Sequence, residues 1–395
     1  MSSSGHSQTA PSQLPALANA PGYRRIVVKA GTSVLTVAEG ARRGLDLACL
    51  GDLVRQISLL RREQGAEVLL VTSGAIAAGR EGLGESWGHL GRDIPSRQVL
   101  AAVGQSRLMH TYQELFAAHQ VKVAQTLLTI KDLSDRQAYL NVRNTLLGLL
   151  ELGVVPILNE NDVVAVDEIG EVFGDNDRLS ALVANLVDAD LLLILTDTEG
   201  LYTADPKLDA SAKLIPVVKE VDAATEAAAG THRNPWARGG MPTKIDAARL
   251  VTTAGISMVM CHGKAPDAVL RAARGEAIGT LFQPAGGKLE ARKRWMLAGI
   301  SHRGEIRVDT GAARALLERK VSLLPAGVKE VKGAFQRGDI VFIAEEGGER
   351  IACGIANYAS ADIERVRGHR SSQIEGILGY HYGQEVVHRN NLVLL

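Results

Sequence analysis

The sequence predicts an α/β protein, a three-layer sandwich with a mainly parallel central sheet, followed by a small β-rich barrel domain. Three observations support this. A chain of 395 residues is too long for one ordinary core. From Arg25 to about Pro284, continuous apolar runs alternate with helical segments, as in parallel sheets covered on both faces. From Gly304 onwards, short strand-like runs separated by glycine-rich turns are typical of a small barrel.

Six apolar runs supply the predicted strands of the first domain. They are Ile26–Val28, Val68–Val71, Val123–Leu128, Val154–Leu158, Leu191–Leu195 and Ile256–Met260. A segment with helical spacing lies between the first two, and Gly65 is its stop signal. The apolar positions of that helix are Leu50, Leu53, Val54, Ile57 and Leu60.

The second domain has shorter runs, at Glu305–Val308, Ile340–Ile343 and Ile351–Ile355, with room for one or two short helices. The predicted divisions are a disordered tail at 1–22, the sheet domain at 23–284, a linker at 285–302, the β-rich domain at 303–383 and a C-terminal tail at 384–395.

The composition of the chain limits the classes of function that it can have. Lys plus Arg and Asp plus Glu both total 44, so no global charge favours nucleic acid or a membrane surface. No stretch approaches a membrane-spanning length. Cys49, Cys261 and Cys353 are isolated and form neither metal-ligand spacing nor a disulfide framework. The first twenty residues lack the features of a signal peptide, and we therefore expect a cytoplasmic protein.

Two segments after strands have the features of anion sites. Lys29 ends the first strand and is followed by Gly31 and two hydroxyl residues, a backbone nest with a charge beside it. It is not a GxxxxGK[ST] loop. Ser73 and Gly74 end the second strand and open a helix, whose first N–H groups favour an anion. An ordinary turn and an ordinary Ser cap are the alternatives.

Two clusters of carboxylates and amides lie within twenty residues of each other. Asn159-Glu160-Asn161-Asp162 follows an apolar run, and Gly174-Asp175-Asn176-Asp177 precedes a helix. Both positions belong to the rim where open α/β sheets bind ligands. Asn and Asp are also common turn residues, and that interpretation holds for either cluster alone.

The last two candidate segments are Thr196-Asp197, at the end of the fifth strand, and the loop Arg238-Gly239-Gly240-Met241-Pro242-Thr243-Lys244. The glycines allow close approach of a ligand to the backbone. Lys244 falls in the first helical turn, where a cation opposes the helix dipole. An anionic ligand would remove that conflict.

In this order and spacing, the six segments closely resemble the glutamate 5-kinases of the amino acid kinase family, from about Arg24 to the C-terminus. Ser322–Val328 and Arg337-Gly338-Asp339 resemble a PUA domain. The family's glycine loop usually reads Gly-Thr-Gly-Gly-Met, whereas Ala237 and Arg238 stand at its first two positions here.

The resemblance implies transfer of the γ-phosphoryl group of ATP to the side-chain carboxylate of L-glutamate. This is the first step of proline biosynthesis, with proline as a feedback inhibitor. It implies that Lys29 and Lys244 reach the phosphoryl group and that Asp175 lies between them and orients them. The implied glutamate-binding residues are Ser73, Gly74, Asn159, Asp162, Asn176 and Asp177. The implied ATP-binding residues are Lys29, Gly31, Thr196, Asp197, Arg238, Gly239, Gly240, Met241, Pro242, Thr243 and Lys244. Mg²⁺ is expected on the ATP phosphates and not on a protein metal site. A homo-oligomer and a handover to the next enzyme of proline synthesis are also expected.

Other functions stay open at this stage. A related kinase could act on aspartate, acetylglutamate or a nucleoside monophosphate. The PUA resemblance raises RNA binding through a basic face, for which the candidates are Arg292-Lys293-Arg294, Arg365, Arg367, His369 and Arg370. Because aromatics are not interleaved and the net charge is zero, we favour a solvated surface. A degenerate kinase serving as a regulator is disfavoured by the intact lysine pair.

Overall fold

A computed structural model describes residues 22–39, 42–84, 93–165, 176–206, 208–229, 240–287 and 300–395. The predicted N-terminal tail up to residue 21 and most of the predicted linker lie outside these ranges. The described part of the first domain contains one sheet of eight strands. They are β1 Arg25–Ala30, β4 Glu67–Val71, β5 Val123–Leu128, β6 Val155–Glu160, β7 Leu191–Thr196, β8 Val217–Val218, β9 Ser257–His262 and β10 Thr280–Phe282. Their order in the sheet is β5-β6-β4-β1-β7-β9-β10-β8. A separate hairpin joins β2 Thr36–Glu39 to β3 Arg42–Leu45.

The sheet is parallel from β5 to β9, as the continuous apolar runs predicted. Strand β10 pairs antiparallel with β9 and parallel with β8. Successive residues of a strand pack into the hydrophobic cores on opposite sides of the sheet. Ile26 and Val28 pack on one side and Val27 on the other. The three-layer sandwich with a mainly parallel sheet is therefore confirmed.

Helices cover both faces. They are α1 Thr32–Leu35, α2 Leu47–Gln64, α3 Ala75–Leu83, α4 Ile94–Ala117, α5 Ile130–Ser134, α6 Arg136–Glu151, α7 Asn176–Leu186, α8 Ala223–Ala228, α9 Met241–Thr253 and α10 Ala268–Ala273. Helix α2 ends at Gly65, which adopts the left-handed conformation (φ 62°), as its stop signal predicted. Among the described residues, no helix combines the length and the apolar character needed to cross a membrane.

Helices α3 and α4 touch backbone to backbone. A Cβ atom on Gly79 would overlap the Leu100 carbonyl, and one on Gly104 would overlap the Ala75 carbonyl. Only glycine permits this approach. The contact fixes the distance between α4 and the start of α3, which follows β4 at the sheet rim.

The second domain is β-rich, as predicted. Its described strands pair in the order β12-β11-β13-β14-β15. The elements are β11 Ile300–Val308, α11 Thr310–Arg319, β12 Val328–Lys332, β13 Ile340–Glu345, β14 Arg350–Ile355, α12 Ser360–Val366, α13 Ile374–Leu378 and β15 Leu392–Leu394. The segment 384–395, predicted as a separate tail, instead packs with this domain. Val386 and Val387 are buried in its core, and β15 pairs with β14.

The second domain contacts the first through α6. Leu140 on α6 is fully buried in a small apolar cluster with residues of the second sheet. Those residues are Ile340, Cys353, Ile355 and Val393. Around the cluster, Arg136 pairs with Asp339, and Arg337 donates to Asn141 at 2.6 Å.

Candidate active site

The candidate site lies where parallel strands of the first domain end together. The register pairs Lys29 of β1 with Val71 of β4 and with Ile194 of β7, so the carboxyl ends of these strands lie side by side. Within β1, Lys29 shares the sheet face of Val27, whose core also contains apolar residues of α7 and α9. The Lys29 side chain therefore projects towards the first turns of those two helices.

A buried carboxylate joins the two lysines that the sequence singled out. Asp177, at the start of α7, is fully buried. Its Oδ1 lies 2.6 Å from Lys29 Nζ, and its Oδ2 lies 3.0 Å from Lys244 Nζ. Thr243 Oγ1 donates to Oδ2 at 3.0 Å. Residues separated by more than two hundred positions in the sequence thus meet on one side chain.

This trio brings two cations to one carboxylate away from water. Lys29 and Lys244 share Asp177, and all three side chains are at least nine-tenths buried. The first turn of α9 adds to the positive potential, because its N-cap residue Gly240 provides no side-chain cap. The arrangement fits an anionic ligand.

A chain of amide hydrogen bonds lies beside the lysines. The Asn176 amide nitrogen donates to the Thr72 carbonyl at 2.5 Å and lies 3.1 Å from Ser73 Oγ. It also donates to Asn159 Oδ1 at 2.9 Å. Asn159 in turn donates to Gln105 Oε1 at 2.7 Å. The chain links three predicted site residues with Gln105, which the sequence did not indicate.

Glycine permits the turns around the site. Gly74, the N-cap residue of α3, has φ 105°, and Gly240 has φ 129°. Residues other than glycine rarely adopt these backbone conformations. Neither N-cap position supplies a side-chain cap, so the first N–H groups of α3 and α9 remain suited to anion binding.

Asp162 lies in the turn after β6 and is half-buried. Burial raises the pKa of its carboxyl group, and nearby Arg97 acts in the opposite direction. A cationic group placed against Asp162 would favour its ionised form. This is the property expected of a partner for a substrate ammonium group.

Strand β7 ends beside β1 at Thr196, which is buried. Asp197, the next residue, is exposed. Thr196 Oγ1 donates to Asp197 Oδ1 at 3.2 Å. Gly31 follows β1, and a Cβ there would lie 3.4 Å from Lys29 Nζ and 3.7 Å from the Leu195 carbonyl. The predicted nucleotide residues Gly31, Thr196 and Asp197 are therefore neighbours at this rim.

Three predicted residues, Asp175, Arg238 and Gly239, lie outside the described residues. The described residues place Asp177 between Lys29 and Lys244, in the position that was predicted for Asp175. The remaining members of the loop, from Gly240 to Lys244, form the N-cap and first turn of α9.

The described residues contain no group of three or more His, Cys, Asp or Glu side chains that could hold a metal ion.

Comparison with known proteins identifies the family. The sequence profile of the amino acid kinase family matches residues 24–262, and that of the PUA domain matches residues 304–378. A glutamate 5-kinase of Dehalococcoides mccartyi (strain CBDB1) is 51% identical over 94% of this chain and 99% of its own length. The chain belongs to the glutamate 5-kinase group of the amino acid kinase family.

Other glutamate 5-kinases agree. That of Herpetosiphon aurantiacus is 52% identical over 94% of this chain and 98% of its own length. That of Deinococcus radiodurans is 50% identical over 94% of this chain and its whole length. Membership of the amino acid kinase family and the presence of a PUA domain confirm the two resemblances drawn from the sequence.

Part of the basic face considered for RNA binding makes hydrogen bonds and ion pairs within the PUA domain. Arg365 donates to the Ile377 carbonyl, and Arg367 donates to the Lys329 carbonyl at 2.7 Å and pairs with Glu364 at 2.9 Å. Arg292-Lys293-Arg294 lies outside the described residues. RNA contact by this domain stays a prediction.

Proposed function

We propose that this protein transfers the γ-phosphoryl group of ATP to the side-chain carboxylate of L-glutamate, forming L-glutamyl 5-phosphate in the first step of proline biosynthesis. The observation that carries the proposal is the buried Lys29–Asp177–Lys244 cluster, in which two ammonium groups meet beside the first turn of α9. The membership of the glutamate 5-kinase group supports the same reaction.

The reaction needs no general base. A glutamate side chain has a pKa of about 4.3 and is already ionised near neutral pH. One carboxylate oxygen attacks the γ-phosphorus, while the bond from that phosphorus to the oxygen bridging to the β-phosphate breaks and ADP leaves. The main obstacle is repulsion between two anions. Catalysis therefore consists of positioning and electrostatic stabilisation of the migrating group.

In this proposal, the ammonium groups of Lys29 and Lys244 bind oxygens of the migrating phosphoryl group. Asp177 holds the two amines at a fixed separation before the substrate arrives, since each nitrogen contacts a different oxygen of its carboxylate. Asp177 thus takes the orienting role that the resemblance assigned to Asp175. Preorganised charges of this kind need no rearrangement during the reaction.

Glutamate binds, in this proposal, along the amide chain and the turn after β6. Asp162 pairs with the α-ammonium group, and Ser73, Asn159 and Asn176 supply hydrogen bonds. An N-acetylated substrate lacks that ammonium charge, so the site should disfavour acetylglutamate.

ATP binds, in this proposal, across the ends of β1 and β7 and the first turn of α9. Gly31, Gly74 and Gly240 allow the backbone to approach the phosphates, and Thr196 and Asp197 contact the nucleoside part. Mg²⁺ held by the β- and γ-phosphates would neutralise charge as it develops on the phosphate oxygens.

The experiment is a panel of acceptors with ATP and Mg²⁺. Hydroxylamine traps acyl phosphates, so hydroxamate formation and ADP release are measured together for L-glutamate, L-aspartate, N-acetyl-L-glutamate and UMP. We expect both signals with L-glutamate and neither at comparable rates with the other three. ADP release without hydroxamate, or a faster reaction with another acceptor, contradicts the proposal.

We also propose that proline inhibits at or near the glutamate site, since it shares an ammonium and a carboxylate group with glutamate. The same assay with added proline should show a higher apparent KM for glutamate and an unchanged KM for ATP. Inhibition that glutamate cannot overcome would contradict a shared site.

A further inference from the structure

Gln105 lies in the middle of α4 on the side that faces the candidate site. Its neighbour in sequence, Gly104, is in backbone contact with the start of α3. Two helical turns further on, Tyr112 is fully buried and its hydroxyl lies 2.7 Å from Thr72 Oγ1. Residues seven positions apart share a helix face. This face of α4 is therefore held rigidly against the ends of β4 and β6.

One backbone carbonyl fixes the direction of the amide chain described above. The Thr72 carbonyl can only accept, so the nitrogen of the Asn176 amide must face it. That nitrogen also meets Asn159 at 2.9 Å, so the Asn159 oxygen must face Asn176. The Asn159 nitrogen then points away, towards Gln105 Oε1 at 2.7 Å. No amide in the chain can be reversed without opposing two acceptors or two donors.

Both ends of this chain carry an unsatisfied atom. Within the described residues, Asn176 Oδ1 and Gln105 Nε2 are buried and have no hydrogen-bond partner. A buried polar atom left unpaired is destabilising. Asn176 Oδ1 is an acceptor, and it would be satisfied by an ammonium group but not by a carbonyl oxygen. The direction of the chain therefore suits a ligand with hydrogen-bond donors.

We propose that Gln105 is a positioning residue for the glutamate subsite. By accepting from Asn159, it keeps the Asn159 oxygen on Asn176, which reinforces the orientation set by the Thr72 carbonyl and leaves Asn176 Oδ1 to the substrate ammonium group. This proposal rests on the proposed function, because it concerns how the same acceptor is selected. Gln105 acts through Asn159 and does not itself touch the substrate.

The first test replaces Gln105 with methionine, which keeps the length of the side chain and removes its acceptor. Among the described residues, the Asn159 amide then keeps only its hydrogen bond to Asn176. We expect Gln105→Met to raise the KM for L-glutamate about tenfold, which corresponds to the loss of one hydrogen bond. The values of kcat and of KM for ATP should stay within about twofold. Gln113→Met, at an exposed position of the same helix, is the matched control and should change nothing.

A double-mutant cycle separates positioning from direct contact. If Gln105 acts through Asn159, then Gln105→Met should add no further increase in KM on top of Asn159→Ala. Additive effects would show that Gln105 contacts the substrate itself and would overturn the proposal. A glutamate KM that Gln105→Met leaves unchanged would also overturn it.

Two controls keep this test separate from the proposed function. The wild-type protein must first form hydroxamate with L-glutamate, and failure at that point concerns the reaction and not Gln105. Thermal unfolding of each variant checks that it is folded, and Gln105→Leu replaces the methionine variant with the same expectation if that variant is unfolded.

Discussion

Two buried ionic clusters lie at opposite ends of α7. At its N-terminus, Asp177 is held between Lys29 and Lys244. Near its C-terminus, Arg143 of α6 pairs with Asp188 at 2.6 Å. Both clusters contain cations that are almost completely removed from water, yet their compositions differ.

The second cluster is balanced. The Arg143 guanidinium faces one carboxylate and also donates to three neutral acceptors, the Leu186 carbonyl, the Asn390 carbonyl and Asn391 Oδ1. The charge of the Arg143 guanidinium is compensated by the carboxylate, and most of its N–H groups donate hydrogen bonds. Because Asn390 and Asn391 belong to the second domain, this cluster holds the two domains together.

The first cluster instead brings two ammonium groups to one carboxylate, where parallel strands end and α9 begins. Burial of charge alone therefore does not distinguish a site from a structural contact in this protein. The surroundings do. Two ammonium groups beside a helix N-terminus suit an anionic ligand, whereas a guanidinium that donates to several backbone and side-chain acceptors fixes the structure.

The largest expected effect is at Lys244. Lys244→Ala should lower kcat by about two to three orders of magnitude, as for other lost transition-state donors. Steady-state kinetics with saturating glutamate and ATP measure this change, and Lys122→Ala, at an exposed lysine, is the control. An unchanged kcat would remove Lys244 from the catalytic set.

Arg143 should show the opposite pattern. Arg143→Met leaves Asp188 and three acceptors without their donor, and we expect the free energy of unfolding to fall by about 3 kcal/mol. The kcat of the folded protein should stay within about twofold. Denaturant titration followed by kinetics measures both quantities.

Arg136 provides a matched control for that prediction. It lies on the same helix and also pairs with the second domain, but it is largely exposed. Arg136→Met should cost less than about 1 kcal/mol, because surface ion pairs contribute little. Equal losses from the two variants would mean that burial of Arg143 has no special importance.

A smaller effect is expected at Asp162. Asp162→Ala should raise the KM for L-glutamate about tenfold, through loss of one charged contact, and leave the KM for ATP nearly unchanged. Asp209→Ala, at an exposed aspartate, should alter neither value. If Asp162→Ala raises both KM values equally, the residue has a structural role.

The smallest effect is a pH dependence. Burial raises the pKa of Asp162, so the ligand-free protein keeps this proton to a higher pH than an ordinary aspartate does. An ammonium group requires the ionised form, so the KM for glutamate should rise as the pH falls through that raised pKa. The neutral form contributes stability at low pH that is lost as the pH rises through the same value.

Kinetics from about pH 4, near the pKa of an ordinary aspartate, up to about pH 8 measure this dependence, and Asp162→Asn should remove it. A pH dependence that persists in that variant would belong to another group.

The strands and the site rim could be predicted from the sequence because hydrophobic runs and the residues that follow them are local signals. Two other features could not. The position of Asp177 between the two lysines depends on how α7 begins at Asn176. The short edge strand β15 carries too few residues for a pattern.

Gln105 could not be predicted for a different reason. It is one polar residue within a long helix, and its importance comes from Asn159, which lies 54 positions further along the chain. Only the packing of α4 against the sheet brings the two amides together. Contacts of this kind leave no trace in the local sequence.

The glycine contact between α3 and α4 has a consequence for protein engineering. Because Gly79 and Gly104 bring the two backbones together without side chains between them, any larger residue at either position would push α4 away from α3. Either glycine would therefore be a poor choice for random mutagenesis libraries, and a variant enzyme with a wider acceptor range is better sought by trimming side chains.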